Sequence, residues 1–376
     1  MPRIHLWCPS VRASEGGIES YSGSLARALS DAVGESNLTL LVRNDTSAQV
    51  RSVLGQGVAS ASIGALPSSL RAVAFAGLVF LRAVRNRPDL IITTHLNFGP
   101  FAAAVRRKAK IPYWVALHGY ESWKIQRRSQ EGAVRAADLL LPVSAFTREQ
   151  VMTRYEVPAE RMHLLPDTFD PERFNIGPKP LHLLARCGLS ENDRVILTVG
   201  RLSSAEAYKG HDRLIRALPR VRKKIADAKY LIVGAGDDRP RLEALAWEEK
   251  VANDVLFADR VEHDELPDYY RLCDLFAMPS TGEGFGIVFL EALAAGKPVL
   301  AGNADGARDA LAGGELGVLV DPKDETALAE SMVSLLAGTY PHPLVYEPEQ
   351  LRARAIERFG PRRFKEAVAT LLREKT

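Results

Sequence analysis

Short apolar runs, each bounded by a turn, alternate along this chain with longer segments of helical apolar spacing. In the first half the runs fall at residues 3–9, 38–43, 90–94, 113–117, 139–143 and 163–165. In the second half they fall at 194–200, 230–234, 255–257, 274–278, 298–301 and 317–320. Runs this short, with no polar alternation, read as strands buried on both faces. Between them, spacings such as Ile18, Tyr21, Leu25 and Leu29 place apolar groups on one face of a helix. Strands interleaved with helices predict parallel, doubly wound sheets, so the fold class is α/β with the same Rossmann-like rhythm in each half. Pro178, Pro180 and Gly188 mark a linker. The predicted domains are 1–175 and 176–355, and the amphipathic tail 356–376 is expected to cross back onto the first domain.

Ser280-Thr-Gly-Glu-Gly-Phe-Gly-Ile-Val-Phe-Leu-Glu291 joins a strand to a helix, and Gly296-Lys-Pro298 ends that helix. Such a junction lies at the carboxyl end of a parallel sheet, where ligands bind. Glycines at 282, 284 and 286 let a ligand approach the main chain, and the first-turn N–H groups favour negative charge. Glu283 and Glu291 repel phosphate but suit neutral hydroxyls. Phosphate-binding amides beside hydroxyl-binding carboxylates point to a sugar nucleotide. Arg201 follows the strand at 194–200, and Lys209 stands eight residues on, so both project from the same edge. Each supplies a fixed cation for a diphosphate. Gly16-Gly17 opens the first helix, as a second phosphate cradle or a plain turn. His118, at the end of the run 113–117, is a pocket residue or a structural histidine holding a loop carbonyl. Ser144 reads as an N-cap.

Composition narrows the field further. The formal charge of +3 divides unevenly: residues 1–180 carry 22 Lys and Arg against 15 Asp and Glu, the remainder 27 against 31. The basic half suits an anionic lipid surface or a pyrophosphate-linked acceptor. No basic motif with interleaved aromatics is present, so nucleic acid is not an expected partner. The clusters Arg82/Arg85/Arg87 and Arg106/Arg107/Lys108/Lys110 each follow an apolar segment, as solvated faces or as membrane-contact faces. Three scattered cysteines give neither a disulfide framework nor a metal cluster. The dinucleotide fingerprint and the Walker sequence are missing, which argues against NAD, FAD and ATP. No Asp-X-Asp triplet occurs and the eight histidines are dispersed, so no metal and no cofactor are expected. The amino terminus lacks the apolar run of a signal peptide, and the longest uncharged apolar run, residues 72–81, is about half a membrane span. The expected location is the cytoplasm, either free or at the inner face of the membrane.

Together these pieces resemble the retaining glycosyltransferases of family four, whose architecture is GT-B. The matching residues are Gly16-Gly17-Ile-Glu-Ser, His118-Gly119, Val199-Gly-Arg201 with Lys209-Gly210, Ile232-Val-Gly-Ala-Gly-Asp237, and the stretch from Pro279 through Glu283 and Glu291 to Pro298. The last is similar to the family's Glu-X7-Glu signature nearly letter for letter. Two departures are Pro166-Asp-Thr-Phe-Asp170 and Asn303-Ala-Asp-Gly306. The resemblance implies two Rossmann-like domains with sheets facing across a cleft that closes during turnover. It implies that Glu291 holds the ribose hydroxyls and Glu283 those of the donor sugar. Arg201, Lys209 and the N–H groups of Gly284, Phe285, Gly286, Ile287 and Val288 would hold the diphosphate. Arg260 and Val261 would contact the base, Gly16 and Gly17 the phosphate, and His118 the transferred sugar. The implied reaction moves a hexose from a nucleoside-diphosphate sugar, UDP-glucose before GDP-mannose, to a glycan or lipid-linked acceptor with retention and without metal. A sugar-nucleotide epimerase of the same fold and a non-catalytic nucleotide-sugar-binding protein are the alternatives.

Overall fold

The computed structural model is described over residues 1–375, with Glu15 considered by its backbone only. The chain forms two compact units, Met1–Thr168 joined by the segment from Pro361 onward, and Phe169–Gly360. The chain thus passes into the second unit about seven residues before the predicted boundary at 175. Residues 169–176 belong with the second unit because Arg352 donates to the carbonyls of Pro171 and Phe174, and Gly296 packs against Ile176.

The first unit contains β1 (Ile4–Cys8), β2 (Leu38–Val42), β3 (Ala59–Ser62), β4 (Leu90–Thr93), β5 (Tyr113–Leu117) and β6 (Leu139–Pro142). All pairs are parallel, and the order is β3-β2-β1-β4-β5-β6. The second unit contains β7 (Arg194–Val199), β8 (Ala228–Val233), β9 (Val255–Phe257), β10 (Leu275–Met278), β11 (Val299–Gly302) and β12 (Val318–Val320), in the order β12-β11-β10-β7-β8-β9. Counted from its own first strand, the second sheet repeats the order of the first. In each, strand order reverses between the first and fourth strands: β1/β4 and β7/β10. Loops leaving those pairs diverge to opposite faces and leave a crevice at the carboxyl edge, the usual ligand position in such sheets.

The strands are buried because helices cover both faces. In the second unit Ile196, Tyr230, Ile232, Leu275 and Leu300 pack with Leu214, Leu218 and Met332 from the flanking helices. In the first, the terminal helix Pro361–Lys375 packs on helix Gly17–Val33, with Phe364 edge-on to Tyr21 at 5.7 Å. Two sequence expectations need correction. Residues 163–165 form no strand: they hang from β6 through His163 N to Leu140 O (2.9 Å) and Leu165 N to Pro142 O (3.0 Å), leaving only one bridge, Leu140 to Met162. Conversely β3, an Ala-Ser-Ala-Ser strand paired only with β2, was not foreseen. Ser144 does cap its helix, accepting from Thr147 N at 2.9 Å.

Candidate active site

In the second unit the loops after β7 and β10 meet at the switch point. β7 runs into Gly200 and Arg201, and a 3-10 segment, Ser204–Lys209, returns the chain over the strand end. A Cβ on Gly200 would lie 3.2 Å from Lys209 Cδ, so glycine makes room for the lysine stem. The two loops are stitched together by Thr281 N donating to Tyr208 O (2.9 Å) and by Arg213 donating to Pro279 O (2.8 Å). A Cβ on Gly282 would strike the Tyr208 ring at 2.8 Å.

This packing delivers Lys209 Nζ to 3.0 Å from Glu283 Oε2 and 3.8 Å from Glu206 Oε2. Lys209 is only 13% exposed, whereas Arg201, which also pairs with Glu206, is 79% exposed. Burial opposes the charged ammonium, but Glu283, with smaller contributions from Tyr208 and Glu206, more than offsets it and raises the pKa above the lysine range. Lys209 is therefore a permanent cation in a nearly water-free position, where a charge acts more strongly than at the surface.

The glycine-rich loop is held from below by Asp305, which follows β11. Its carboxylate accepts from Ser280 Oγ (2.7 Å), Glu283 N (2.7 Å) and Ala307 N (3.0 Å). Burial pushes the Asp305 carboxyl up to about 6, against the pull of these hydrogen bonds. Gly306 N donates to Glu283 O at 2.9 Å, and a Cβ on Gly306 would stand 2.0 Å from Gly284 O. Gly286, at φ +95°, turns the chain into helix Ile287–Ala294. The N–H groups of Ile287 and Val288 open that helix and have no intrahelical acceptor. Phe285 is buried edge-on to Phe359 at 5.4 Å. Further along the helix Glu291 accepts from Tyr270 Oη at 2.7 Å, and burial raises its carboxyl above the usual range.

Arg260 and Val261 follow β9, the edge strand, which β8 and β7 separate from β10. Gly234 N donates to Asp259 O at 2.8 Å and ties that loop to the end of β8. Arg260 is exposed, with no hydrogen-bond or ion-pair partner among the described residues. The structure brings Arg201, Lys209, Glu283 and the 284–288 turn together. Arg260 and Val261 continue the loop tied to Gly234, and a Cβ on Gly234 would stand 1.9 Å from Gly200 O.

The first unit builds a comparable arrangement at β1/β4. Asp45, after β2, accepts from Ser10 Oγ (2.7 Å), Val11 N (2.8 Å) and Arg12 Nε (3.1 Å), and so fixes the loop leaving β1. Gly16, at φ +155°, leads into Gly17 and helix Gly17–Val33. One turn in, Ser22 donates to Ile18 O (2.7 Å) and accepts from Thr94 Oγ1 (2.6 Å). His118 Nε2 lies 3.0 Å from Thr94 O, and the ring meets Tyr21 edge-on at 4.8 Å. A carbonyl can only accept, so Nε2 carries the proton and Nδ1 keeps its lone pair. Burial, reinforced by His95, lowers the His118 pKa to about 3. At neutral pH the ring is thus an uncharged hydrogen-bonding group.

Asp305 and Asp45 were not singled out from the sequence. Among the described residues no group of three or more His, Cys, Asp or Glu is gathered as metal ligands. No helix among them is long and apolar enough to cross a membrane.

Two parallel Rossmann-like sheets with loop sites at both switch points define the GT-B architecture, and solved structures agree. Anabaena HepE, solved with UDP and glucose, superposes with a TM-score of 0.79 at 22% identity over 99% of each chain. Sucrose-phosphate synthase from Thermosynechococcus elongatus gives a TM-score of 0.79 at 21% identity, covering 99% of this chain and 98% of that one. Residues 185–358 match the family described as "Glycosyl transferases group 1", and residues 16–168 match "Glycosyl transferase 4-like domain". The chain belongs to the group 1 glycosyl transferases. It is 35% identical over 237 residues to the GDP-mannose-dependent alpha-(1-6)-phosphatidylinositol monomannoside mannosyltransferase of Mycobacterium tuberculosis, covering 59% of each. It is 33% identical over 254 residues to a D-inositol 3-phosphate glycosyltransferase of Xylanimonas cellulosilytica, covering 65% of this chain and 58% of the relative. The match therefore spans about three fifths of these relatives' length.

Proposed function

We propose that this protein is a retaining hexosyltransferase that takes its sugar from a nucleoside diphosphate and needs no metal ion. The observation that carries the reading is the buried Lys209 ammonium, fixed by Glu283 and Glu206 beside a glycine-rich helix start. The barrier to transfer is the negative charge that builds on the departing diphosphate. Lys209, Arg201 and the N–H groups from Gly284 to Val288 stabilise that charge from preorganised positions. Glu283 then exchanges part of its contact with Lys209 for donor-sugar hydroxyls, and Glu291 takes the ribose. His118 offers Nδ1 as a neutral acceptor to a hydroxyl of the transferred sugar, and Gly16-Gly17 approaches the phosphate. The departing phosphate takes the acceptor's proton on the face it leaves, which preserves the anomeric configuration. Arg260 and Val261 are assigned to the base.

The donor assignment leans to UDP-glucose, supported by the likeness to UDP-bound HepE, with GDP-mannose next, supported by the mannosyltransferase relative. A lipid-linked or growing polysaccharide acceptor at the cytoplasmic face fits the basic amino-terminal half. Thermal-shift screening against UDP, GDP, ADP and their sugars identifies the donor: a ligand at 100 times its dissociation constant stabilises by about 2.7 kcal/mol. Nucleotide release that depends on acceptor, with the product anomer unchanged by NMR, is the expected result. Isomerisation of the sugar nucleotide without acceptor would make the protein an epimerase instead, and binding without turnover would make it a sensor.

A further inference from the structure

Helix Ser68–Asn86 of the first unit is apolar on two opposite faces. Phe75, Val79 and Ala83 are buried in the core. On the other side Leu70, Val73, Phe80, Leu81 and Val84 are exposed, joined by Phe101 of the neighbouring helix Gly99–Ala109. Spacings of three and four, from 70 through 73, 77, 80 and 81 to 84, put these side chains on one stripe, with Gly77 among them. Val73 is 78% exposed and Leu81 62%, values that leave each almost wholly in water. Monomeric proteins seldom expose a contiguous apolar surface of this kind without a use for it.

The charge around the stripe selects the partner. Residues 46–110 hold nine Lys and Arg but a single acid, Asp89, which accepts from Arg3 N at 2.7 Å. Arg82, Arg85 and Arg87 are exposed along the last turn and a half of the helix, and Arg107, Lys108 and Lys110 at the end of its neighbour. Lys108 Nζ lies 5.6 Å from the centre of the Phe80 ring, so one of these cations sits directly against the apolar stripe. A protein partner would have to supply both an apolar groove and a surrounding acidic rim. A bilayer carrying anionic headgroups presents both at once: acyl chains for the stripe, headgroup phosphates for the cations.

We infer that helix Ser68–Asn86 lies in the interface of an anionic membrane, its exposed stripe in the acyl boundary and its arginines among the headgroup phosphates. The helix binds in the plane of the membrane and does not span it. This surface is independent of which donor or acceptor the protein uses.

The test is co-sedimentation of the full chain with vesicles of phosphatidylcholine alone and of phosphatidylcholine mixed with phosphatidylglycerol, at low and physiological salt. Binding to the mixed vesicles is expected to exceed binding to the neutral ones by about tenfold or more, and to weaken with salt. The double substitution Val73→Glu/Leu81→Glu should abolish it, while leaving the melting temperature and UDP binding unchanged, because neither side chain is buried. Arg82→Glu and Arg85→Glu should each weaken it by about fivefold or more. Equal binding to both kinds of vesicle, or binding that survives Val73→Glu/Leu81→Glu, overturns the inference. So does a dimer in solution that the same double substitution dissociates, since the stripe would then be an interface between copies.

Discussion

Replacing Lys209 by methionine keeps most of the side chain's volume and removes its charge, leaving Glu283 without its cation and Glu206 with only the exposed Arg201. At an effective dielectric of about 20, unit charges at the observed 3.0 Å attract by about 5 kcal/mol, part of which the buried ammonium has already lost in hydration. Breaking such a pair from one side costs about 3 kcal/mol, which lowers the melting temperature of a unit of this size by about 6–12 °C. Glu283→Gln should cost less, about 1 kcal/mol, because Glu206 still faces Lys209 at 3.8 Å. In Lys209→Met/Glu283→Gln the stranded Glu283 carboxylate is gone, so the double variant should be more stable than the sum of the singles by about 1–2 kcal/mol. Turnover behaves differently. Both Lys209→Met and the double variant should lose about 10²-fold or more, since both lack the buried cation for the leaving diphosphate and keep only Arg201 and the N–H groups. The folded pKa of Lys209 is raised, so its stabilisation is complete below the unfolded value of about 10.4 and is lost only as pH climbs through the folded one. The melting difference between wild type and Lys209→Met should accordingly be the same at pH 7 and pH 9. Thermal melts, denaturant titrations and initial rates on the four proteins supply all of these quantities. Additive stabilities, or turnover that recovers when Glu283 is neutralised, would refute the reasoning.

Asp305→Asn should cost about 1–3 kcal/mol by turning an acceptor into a donor against Glu283 N or Ala307 N, and should raise KM for the donor more than it lowers kcat. The raised Asp305 pKa means that the native state holds its proton longer than the unfolded chain. That residue's contribution therefore falls as pH rises from about 4 to about 6, a slope that melting curves of the asparagine variant should lack. Gly306→Ala has no backbone strain to overcome, at φ −66°, but its Cβ would meet Gly284 O at 2.0 Å; calorimetry should show donor affinity reduced at least about tenfold. His5, His95, His118 and His211 have pKa values lowered by burial to between about 3 and 4. The unfolded chain takes up protons first, so melting temperatures should fall as pH drops below about 6.5, and nitrogen NMR should find His118 neutral throughout the active range.

The sheets were legible because their strands are short, apolar and bounded by turns, as at Leu139–Pro142 and Ala228–Val233. β3 escaped because Ala-Ser-Ala-Ser has neither apolar mass nor β-branching, and an edge strand partly open to water needs neither. Residues 163–165 looked like a strand because they are apolar enough to lie against β6, yet only one side of their backbone finds a partner there. The short helix Leu181–Cys187 lay hidden between Pro180 and Gly188, which read as a linker. At the site, the glycines and Lys209 announced themselves through local spacing. Asp305 did not, since a lone aspartate before glycine looks like any solvated turn. Its partners Ser280 and Glu283 lie more than twenty residues earlier, and only the pairing of β10 with β11 brings them within 2.7 Å. The same holds for Asp45 with Ser10 and for Tyr270 with Glu291: each depends on strand or helix neighbours that no local pattern encodes.

The most direct test is a crystal structure of the protein with UDP-glucose or, should the screen favour it, GDP-mannose. The diphosphate should lie within hydrogen-bonding distance of Lys209 Nζ and of the N–H groups between residues 284 and 288, with no metal ion bridging its oxygens. A diphosphate bound away from that turn, or one held through a divalent ion with Lys209 still locked to Glu283, would contradict the account.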